Sequence, residues 1–292
     1  MSSAPAEIVF FGGYDPDYPR NAIIRKGLEK LGIRVRSCRA DGSRRAVFRY
    51  PILMARFFAT SLWRRSPLFV PDFRHKDVPL AWVFSRLPRR KLVFDPLVSR
   101  YETRVLDRGD AREGSAQARH NWKIDRLTMR MSDLVLADTD AHAAFYIDEF
   151  DIDEKKVRTL YLGSDDTVFD RATAREPDGT FRVLFYGSFL PLHGTDVIVE
   201  AARLLDDGFR FRIVGSGQTM DEFRERAEGI DGKRIELSGN VPENELPGLI
   251  AGADAVLGVF GTTPKTGMVI PNKVYQSMAC GRPVVTADTP SV

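Results

Sequence analysis

Several stretches of the sequence could hold an anion. "IPNKVYQSMACGRPVV" (270–285) sets Asn272 behind a proline at the start of a short helical run and Gly281 at its end, ahead of an apolar strand. An asparagine N-cap accepts from first-turn amides, a glycine takes the left-handed conformation that stops a helix, and the open amides at a helix start favour an anion. "GSFLPLHG" (187–194) places Gly187, Ser188 and His193 before a second helix, and "GTTPKTGMVIPNK" (261–273) adds Lys265, Gly267 and Lys273. His193 reads equally as a helix-opening or surface residue and as a donor to a phosphate. Gly215 in "GSGQ" and Gly12–Gly13 after "EIVFF" are further glycine turns at strand ends, where a missing side chain lets backbone approach a ligand.

Other chemistries find less support. Gly215-Ser216-Gly217 resembles the start of a dinucleotide fingerprint but lacks the third glycine and is not on the first strand of its unit, which disfavours a nicotinamide or flavin site. Asp15-Pro-Asp17 and Asp138-Thr-Asp140 imitate metal-binding pairs, yet aspartate and proline are ordinary turn and capping residues, so no metal is expected. No His/Cys cluster has zinc spacing, and no G-x-S-x-G elbow occurs.

The elements that must position these residues alternate along the whole chain. "EIVFF", "RVRSC", "PLFV", "KLVF", "DLVLA" and "VRTLYL" read as strands separated by segments of helical period. The polar stretch 164–180, with Pro177 and Gly179, shows neither period. After it, "FRVLFY", "FRFRIVG", "KRIELSG", "DAVLGVF" and "RPVVTA" resume the alternation, and Val197, Ile198, Ala201 and Leu205 mark one face of the first helix of that half. The expectation is an α/β protein of two Rossmann-like domains. They span 1–165 and 181–292, joined by a linker at 166–180. Ligands of such sheets bind outside the carboxyl ends of the strands, which for two facing domains means the cleft between them.

Composition narrows the class. With 292 residues, 43% of them hydrophobic, the chain can bury two ordinary cores. A net charge of +3 is far below that of a dedicated nucleic-acid binder. Charge is nonetheless concentrated: nine arginines (34, 36, 39, 44, 45, 49, 56, 64, 65) stand against Asp41 between residues 34 and 65. That stretch, interleaved with Phe48, Tyr50, Phe57, Phe58 and Trp63, reads either as a surface for an anionic membrane or as a core-packing helix with an arginine face. No apolar run is long and uninterrupted enough to span a bilayer, no export signal opens the chain, and Cys38 and Cys280 are far apart, as expected of a reduced cytoplasmic protein.

The stretches "VLFYGSFLPLHGTDVIVEAARLL", "FRIVGSGQ", "IELSGNVPENELPGLIAGADAVLGVF" and "KVYQSMACGRPVVTADTP" resemble, in order and spacing, the donor-nucleotide domain of GT-B fold glycosyltransferases, most closely glycosyltransferase family 4. In the amino half, "VFDPLVSRYETRVLDRG" and "ADTDAHAAFY" are similar to one prokaryotic subgroup of that family. The resemblance implies two facing Rossmann-like domains and a retaining, metal-independent transfer of a hexosyl group. The donor would be a UDP- or GDP-sugar, the acceptor a sugar or lipid-linked hydroxyl, and the setting polysaccharide or glycolipid synthesis at the cytoplasmic membrane face. It implies no separate cofactor and no nucleic-acid partner. The loop and helix around "GMVIPNKVYQ" would then face the donor's diphosphate, which is the anion anticipated from the helix start.

The departures from the family pattern are specific. Its spaced pair of glutamates falls on Met268 and Gln276; Gln276 can still bond a ribose hydroxyl, and Met268 cannot. Its diphosphate-neutralising Arg and Lys fall on Ser188 and His193, leaving Lys265 or Lys273 to compensate. The family also continues beyond "TADTP", so the second domain is expected to lack its C-terminal part. A catalytically silent or truncated nucleotide-sugar-binding paralogue is the alternative. For the acceptor, Asp95 after "KLVF" and Glu102 are candidates for hydroxyl contacts, and Arg104 or Arg108 for a phosphate; the same segment also reads as a solvated turn held by ion pairs.

Overall fold

A computed structural model describes residues 6–43, 45–61, 65–87, 89–171, 176 and 178–292. Arg44, Trp63 and Arg64 of the arginine-rich stretch therefore lie outside the described residues, as does part of the expected linker. The chain forms two compact units, Met1–Val105 with Gly109–Tyr161, and Leu162–Val292 with Leu106–Arg108.

In the first unit, strands β1 (Glu7–Gly12), β2 (Arg34–Arg39), β3 (Leu68–Val70), β4 (Leu92–Phe94), β5 (Leu134–Ala137) and β6 (Val157–Thr159) form one sheet in the order β2-β1-β3-β4-β5-β6. Every pairing is parallel. Helices α1 (Pro19–Lys30), α2 (Ala46–Thr60), α3 (Val78–Arg86), α4 (Ala116–Met131) and α5 (Asp140–Phe150) make the crossovers. The two faces of β1 serve two cores, Val9 and Phe11 packing with Phe57, Phe94 and Tyr146, and Ile8 and Phe10 with Phe69 and Leu136. Burial on both faces is what parallel strands with crossover helices require.

The arginine-rich helix α2 has two characters at once. Arg49, Leu53 and Phe57 are buried, while Val47, Phe48, Met54 and Phe58 are exposed. Among the described residues no helix is long and apolar enough to cross a membrane.

The second unit holds β7 (Phe181–Tyr186), β8 (Phe209–Val214), β9 (Ile235–Ser238), β10 (Ala255–Leu257) and β11 (Val284–Val285), in the order β11-β10-β7-β8-β9 and again all parallel. Its helices are α6 (Thr195–Leu204), α7 (Met220–Arg226), α8 (Leu246–Ala251) and α9 (Asn272–Ala279). Phe169, within the stretch expected to be a linker, is buried in this unit's core beside Leu184, Tyr186 and Ile250. Helix α6 buries Thr195, Ile198, Val199 and Ala202, whereas Val197 is exposed. Of the expected stripe, Ile198 is buried and Ala201 and Leu205 are half-buried, so the buried face is centred on Ile198, Val199 and Ala202 and turns only Val197 out to solvent.

Strand order identifies the ligand-binding edges. The connection direction reverses between β1 and β3 in the first unit and between β7 and β10 in the second, and open parallel sheets bind ligands at the carboxyl ends of such neighbours.

Candidate functional site

In the second unit the loops leaving β7 and β10 are locked together. Phe260 N–H donates to the His193 carbonyl (3.1 Å) and Gly261 N–H to that of Leu192 (3.0 Å). A Cβ on Gly194 would fall 2.4 Å from the Phe260 carbonyl carbon, so that position, left-handed at φ 56°, admits only glycine. Gly215, at φ 143°, is as constrained: its Cβ would stand 1.9 Å from the Gly187 oxygen, joining the ends of β7 and β8. Gly267 is different, since the nearest atom to an added Cβ is Pro290 Cδ at 3.7 Å.

The helix start of the opening motif is confirmed in position and corrected in detail. Asn272 is the first helical residue rather than the cap, which falls on Pro271, and no side chain caps the helix. Proline before the helix fixes an extended backbone that places Asn272 one residue too late to accept from the first turn. Gly281 stops the helix as expected, at φ 71°, with Gly281 N–H donating to Met278 O and Arg282 N–H to Ser277 O, both at 2.9 Å.

The cations anticipated around this edge are buried. Lys273 is 5% exposed; its Nζ donates to Gly258 O at 3.2 Å and stands 3.8 Å above the centre of the Phe185 ring. Burial pushes its ammonium well below the usual lysine range. A Cβ on Gly187 would sit 3.5 Å from Lys273 Nζ, so the lysine lines the glycine turn directly. His193 is buried and its Nδ1–H donates to the Ser188 carbonyl. Burial first, then the Lys273 and Lys265 charges, lower its pKa to about 2. A neutral imidazole with Nδ1–H so engaged keeps Nε2 as an acceptor, the wrong polarity for a phosphate oxygen.

Lys265 is also buried, Met268 packs against Leu192, Val259 and Val269, and the Gln276 side-chain oxygen accepts from Tyr186 O–H at 3.0 Å. Two short bonds bring in the segment Leu106–Arg108: Asp107 Oδ1 accepts from Leu192 N–H and from Thr263 Oγ1, both at 3.1 Å.

In the first unit, carboxylates follow three neighbouring strands: Asp72 after β3, Asp95 after β4 and Asp138 after β5. Asp95 is fully buried; its Oδ2 accepts from Arg20 Nε–H at 2.6 Å and its Oδ1 from Leu97 N–H at 3.2 Å. Burial pushes this carboxyl up, opposed by Arg20. Asp72, 3% exposed, is raised to about 7 by burial and then by the Asp95 charge.

Glu102 is fully buried too. Its Oε2 lies 2.8 Å from His142 Nε2, and Asp138 Oδ1 lies 2.5 Å from His142 Nδ1. Burial alone would discharge His142, but the two flanking carboxylates outweigh it and hold the imidazolium up to about 10. Asp95 and Glu102 therefore face inward partners, whereas Arg104 is exposed with no side-chain partner among the described residues.

Gly12–Gly13 also turn inward. A Cβ on Gly12 would meet Asp77 Oδ2 at 2.9 Å, and one on Gly13 would meet Arg49 Cδ at 2.7 Å. Gly13 N–H donates to Asp77 Oδ2 at 2.8 Å, and Arg49 pairs with Asp77 Oδ1 at 2.5 Å. The space freed by these glycines is filled by protein. Sequence reasoning did not single out Arg20, Asp72 or His142; the carboxylates closing β3, β4 and β5 were the available signal.

Among the described residues no group of three or more His, Cys, Asp or Glu side chains is arranged to hold a metal ion. The two Asp-x-Asp pairs are engaged locally. Asp15 accepts from Asp17 N–H, Thr139 caps α5 by accepting from His142 N–H, and Asp140 accepts from Tyr161 O–H at 3.1 Å.

Comparison with known proteins agrees with this architecture. Residues 180–292 match the family described as glycosyl transferases group 1. No match was found among curated proteins. Among solved structures, HepE of Anabaena in complex with UDP and glucose is 17% identical, covering 97% of this chain and 81% of that one at a TM-score of 0.64. Sucrose-phosphate synthase from Thermosynechococcus elongatus is 16% identical with the same coverages and a TM-score of 0.66. The lipopolysaccharide outer core galactosyltransferase WaaB is 14% identical, covering 98% of this chain and 82% of that one at 0.61. The chain therefore has the fold of GT-B glycosyltransferases, and its carboxyl-terminal unit carries the glycosyl transferases group 1 signature.

Proposed function

We propose that this chain is a glycosyltransferase that moves a hexosyl group from a nucleoside-diphosphate sugar to a hydroxyl acceptor, with retention and without a required metal. The observation that carries the reading is that the matched segment 180–292 contains the β7–β10 switch point, whose loops hold Gly187, Ser188, Lys265 and Gly267 and whose helix α9 holds Lys273. Cleavage of the anomeric bond builds negative charge on the leaving diphosphate, and the uncapped amides that open α9 are suited to receive it. The relatives solved with UDP favour a uridine donor, and Gln276 is our candidate for its ribose. Acceptor hydroxyls would be held by the first unit, with Arg104 reaching the acceptor and with Asp95 and Glu102 acting through Arg20 and His142. Exposed Phe48 and Phe58 on the arginine-bearing α2 support peripheral contact with an anionic membrane, and with it a lipid-linked acceptor in polysaccharide or glycolipid synthesis.

One observation favours the second reading, a nucleotide-sugar-binding paralogue without turnover. His193 is held neutral and Lys273 is strongly disfavoured as a cation, so the charge usually fixed beside the diphosphate is weak in the unliganded chain. Calorimetric titration with UDP, GDP and their sugar conjugates in chelator tests both. Binding of one nucleotide class is expected on either reading, and absence of any binding would overturn both.

A further inference from the structure

The first unit has a second cleft, lined by three arginines, away from the carboxylates that follow β4 and β5. It encloses about 570 Å³ at the carboxyl ends of β1, β2 and β3, beside that sheet's switch point, and is lined by Arg39, Arg56 and Arg74 together with Gly13, Gly42 and Ser43. Its floor is built by close backbone contact: a Cβ on Gly42 would lie 2.0 Å from the Gly13 oxygen and 2.9 Å from an Arg74 guanidinium nitrogen.

Two of the three guanidinium groups, those of Arg56 and Arg74, are held by carbonyls rather than by carboxylates, and that of Arg39 is exposed. Arg56 donates to the Arg39 backbone oxygen and Arg74 to that of Gly42 at 3.3 Å. Arg74 Nε is buried without a hydrogen-bond partner among the described residues, and none of the three arginines forms an ion pair there. Asp15 and Asp41 also line the cleft, and one oxygen of each is engaged within its own loop. Asp41 Oδ1 accepts from Ser43 N–H and Oγ–H, and Asp15 Oδ1 accepts from Asp17 N–H. Three guanidinium groups around one cleft, two of them fixed by carbonyls and none by a carboxylate, are arranged for an oxyanion that accepts from several N–H groups at once.

We propose that this cleft binds a phosphomonoester, with Arg39, Arg56 and Arg74 as its ligands. Its role as the anionic group of the acceptor rests on the transferase reading, while the site itself does not. The phosphomonoester could belong to a soluble sugar phosphate or to a lipid headgroup, and the test separates them.

The full chain is titrated with glycerol 3-phosphate by calorimetry, and separately mixed with phosphatidylcholine vesicles with and without phosphatidic acid in a sedimentation assay. Binding of either probe is expected, and Arg56→Gln with Arg74→Gln is expected to weaken it by about tenfold or more. Arg39→Gln, at an exposed side chain, supplies a variant whose folding is not at issue and should weaken binding in the same direction. UDP affinity should be unchanged in both variants. Binding of glycerol 3-phosphate assigns a soluble source, and binding only to phosphatidic acid vesicles a lipid source. Failure of the wild-type chain to bind either probe, equal binding by the variants, or a parallel loss of UDP affinity would overturn the site. Phosphate binding in a chain that neither binds nor turns over a nucleotide sugar would keep the site and remove only its acceptor role.

Discussion

Replacing His142 by glutamine tests the charged cluster at the heart of the first unit. His142 is fully buried between Glu102 and Asp138, and its pKa rises from 6.5 to about 10. A folded pKa above the unfolded one means that the native state keeps a proton the unfolded chain has released. The associated stability is complete below about pH 6.5 and is lost as pH rises through about 10. At about 1.4 kcal/mol per pK unit, the whole shift corresponds to roughly 5 kcal/mol. Between pH 7.5 and 9.5 the stability advantage of wild type over the His142→Gln variant should therefore shrink by roughly 3 kcal/mol. Asp72, raised to about 7, contributes stability that is already lost below this window. Lys273, lowered in the folded state, contributes in the opposite sense, gaining with pH until the unfolded lysine titrates, and it cancels in the difference. Urea unfolding followed by tryptophan fluorescence is the assay, because the described tryptophans, Trp82 and Trp122, both belong to the first unit. Removing one member of a buried ion set costs about 3–5 kcal/mol, so a direct readout accompanies it. In wild type the His142 imidazole signal should stay in its protonated position to about pH 9. Parallel stability curves, or an imidazole that titrates near 6.5, would refute the cluster's electrostatics.

Three further outcomes follow from packing and charge. Gly215→Ala forces a Cβ to 1.9 Å from the Gly187 oxygen in a left-handed backbone and should destabilise the second unit by about 3 kcal/mol in thermal or urea unfolding. Val199→Ala, at a fully buried position, should cost about 2–3 kcal/mol, while Val197→Ala should stay within about 0.5 kcal/mol; equal costs would restore the face expected from sequence. Lys273→Met should flatten the rise of the second unit's stability with pH below 10.5, since it removes a group whose pKa burial lowers in the folded state; an unchanged slope would show that burial does not lower it.

All the strand runs read from the sequence became strands: the central ones, such as β1 and β3, are short apolar runs buried on both faces, and the edge strand β2 is marked by the alternation of its arginines. The loops at the β7 and β10 ends were equally legible, glycine marking the places where backbones touch. What the sequence concealed depends on partners far along the chain. Asp95 looked like a residue for a hydroxyl until Arg20 closed over it, and Glu102 until His142 did. His193 could be a phosphate donor in isolation; its neutrality comes first from burial, which packing of the whole unit imposes. Asn272 failed as a cap by a single residue, the scale at which pattern reading loses resolution. The domain division has a similar subtlety, with Leu106–Arg108 joining the second unit through Asp107 although its neighbours belong to the first.

The central claim is transfer from a nucleotide sugar, and slow donor hydrolysis tests it most directly. The purified chain is incubated in chelator with UDP-sugars and GDP-sugars, and release of nucleoside diphosphate is followed together with the anomeric configuration of the freed sugar. Release from one donor class with the donor's configuration retained is the expected result. Tight nucleotide binding with no release, with or without added divalent cation and candidate acceptors, would contradict the enzyme and leave the binding paralogue.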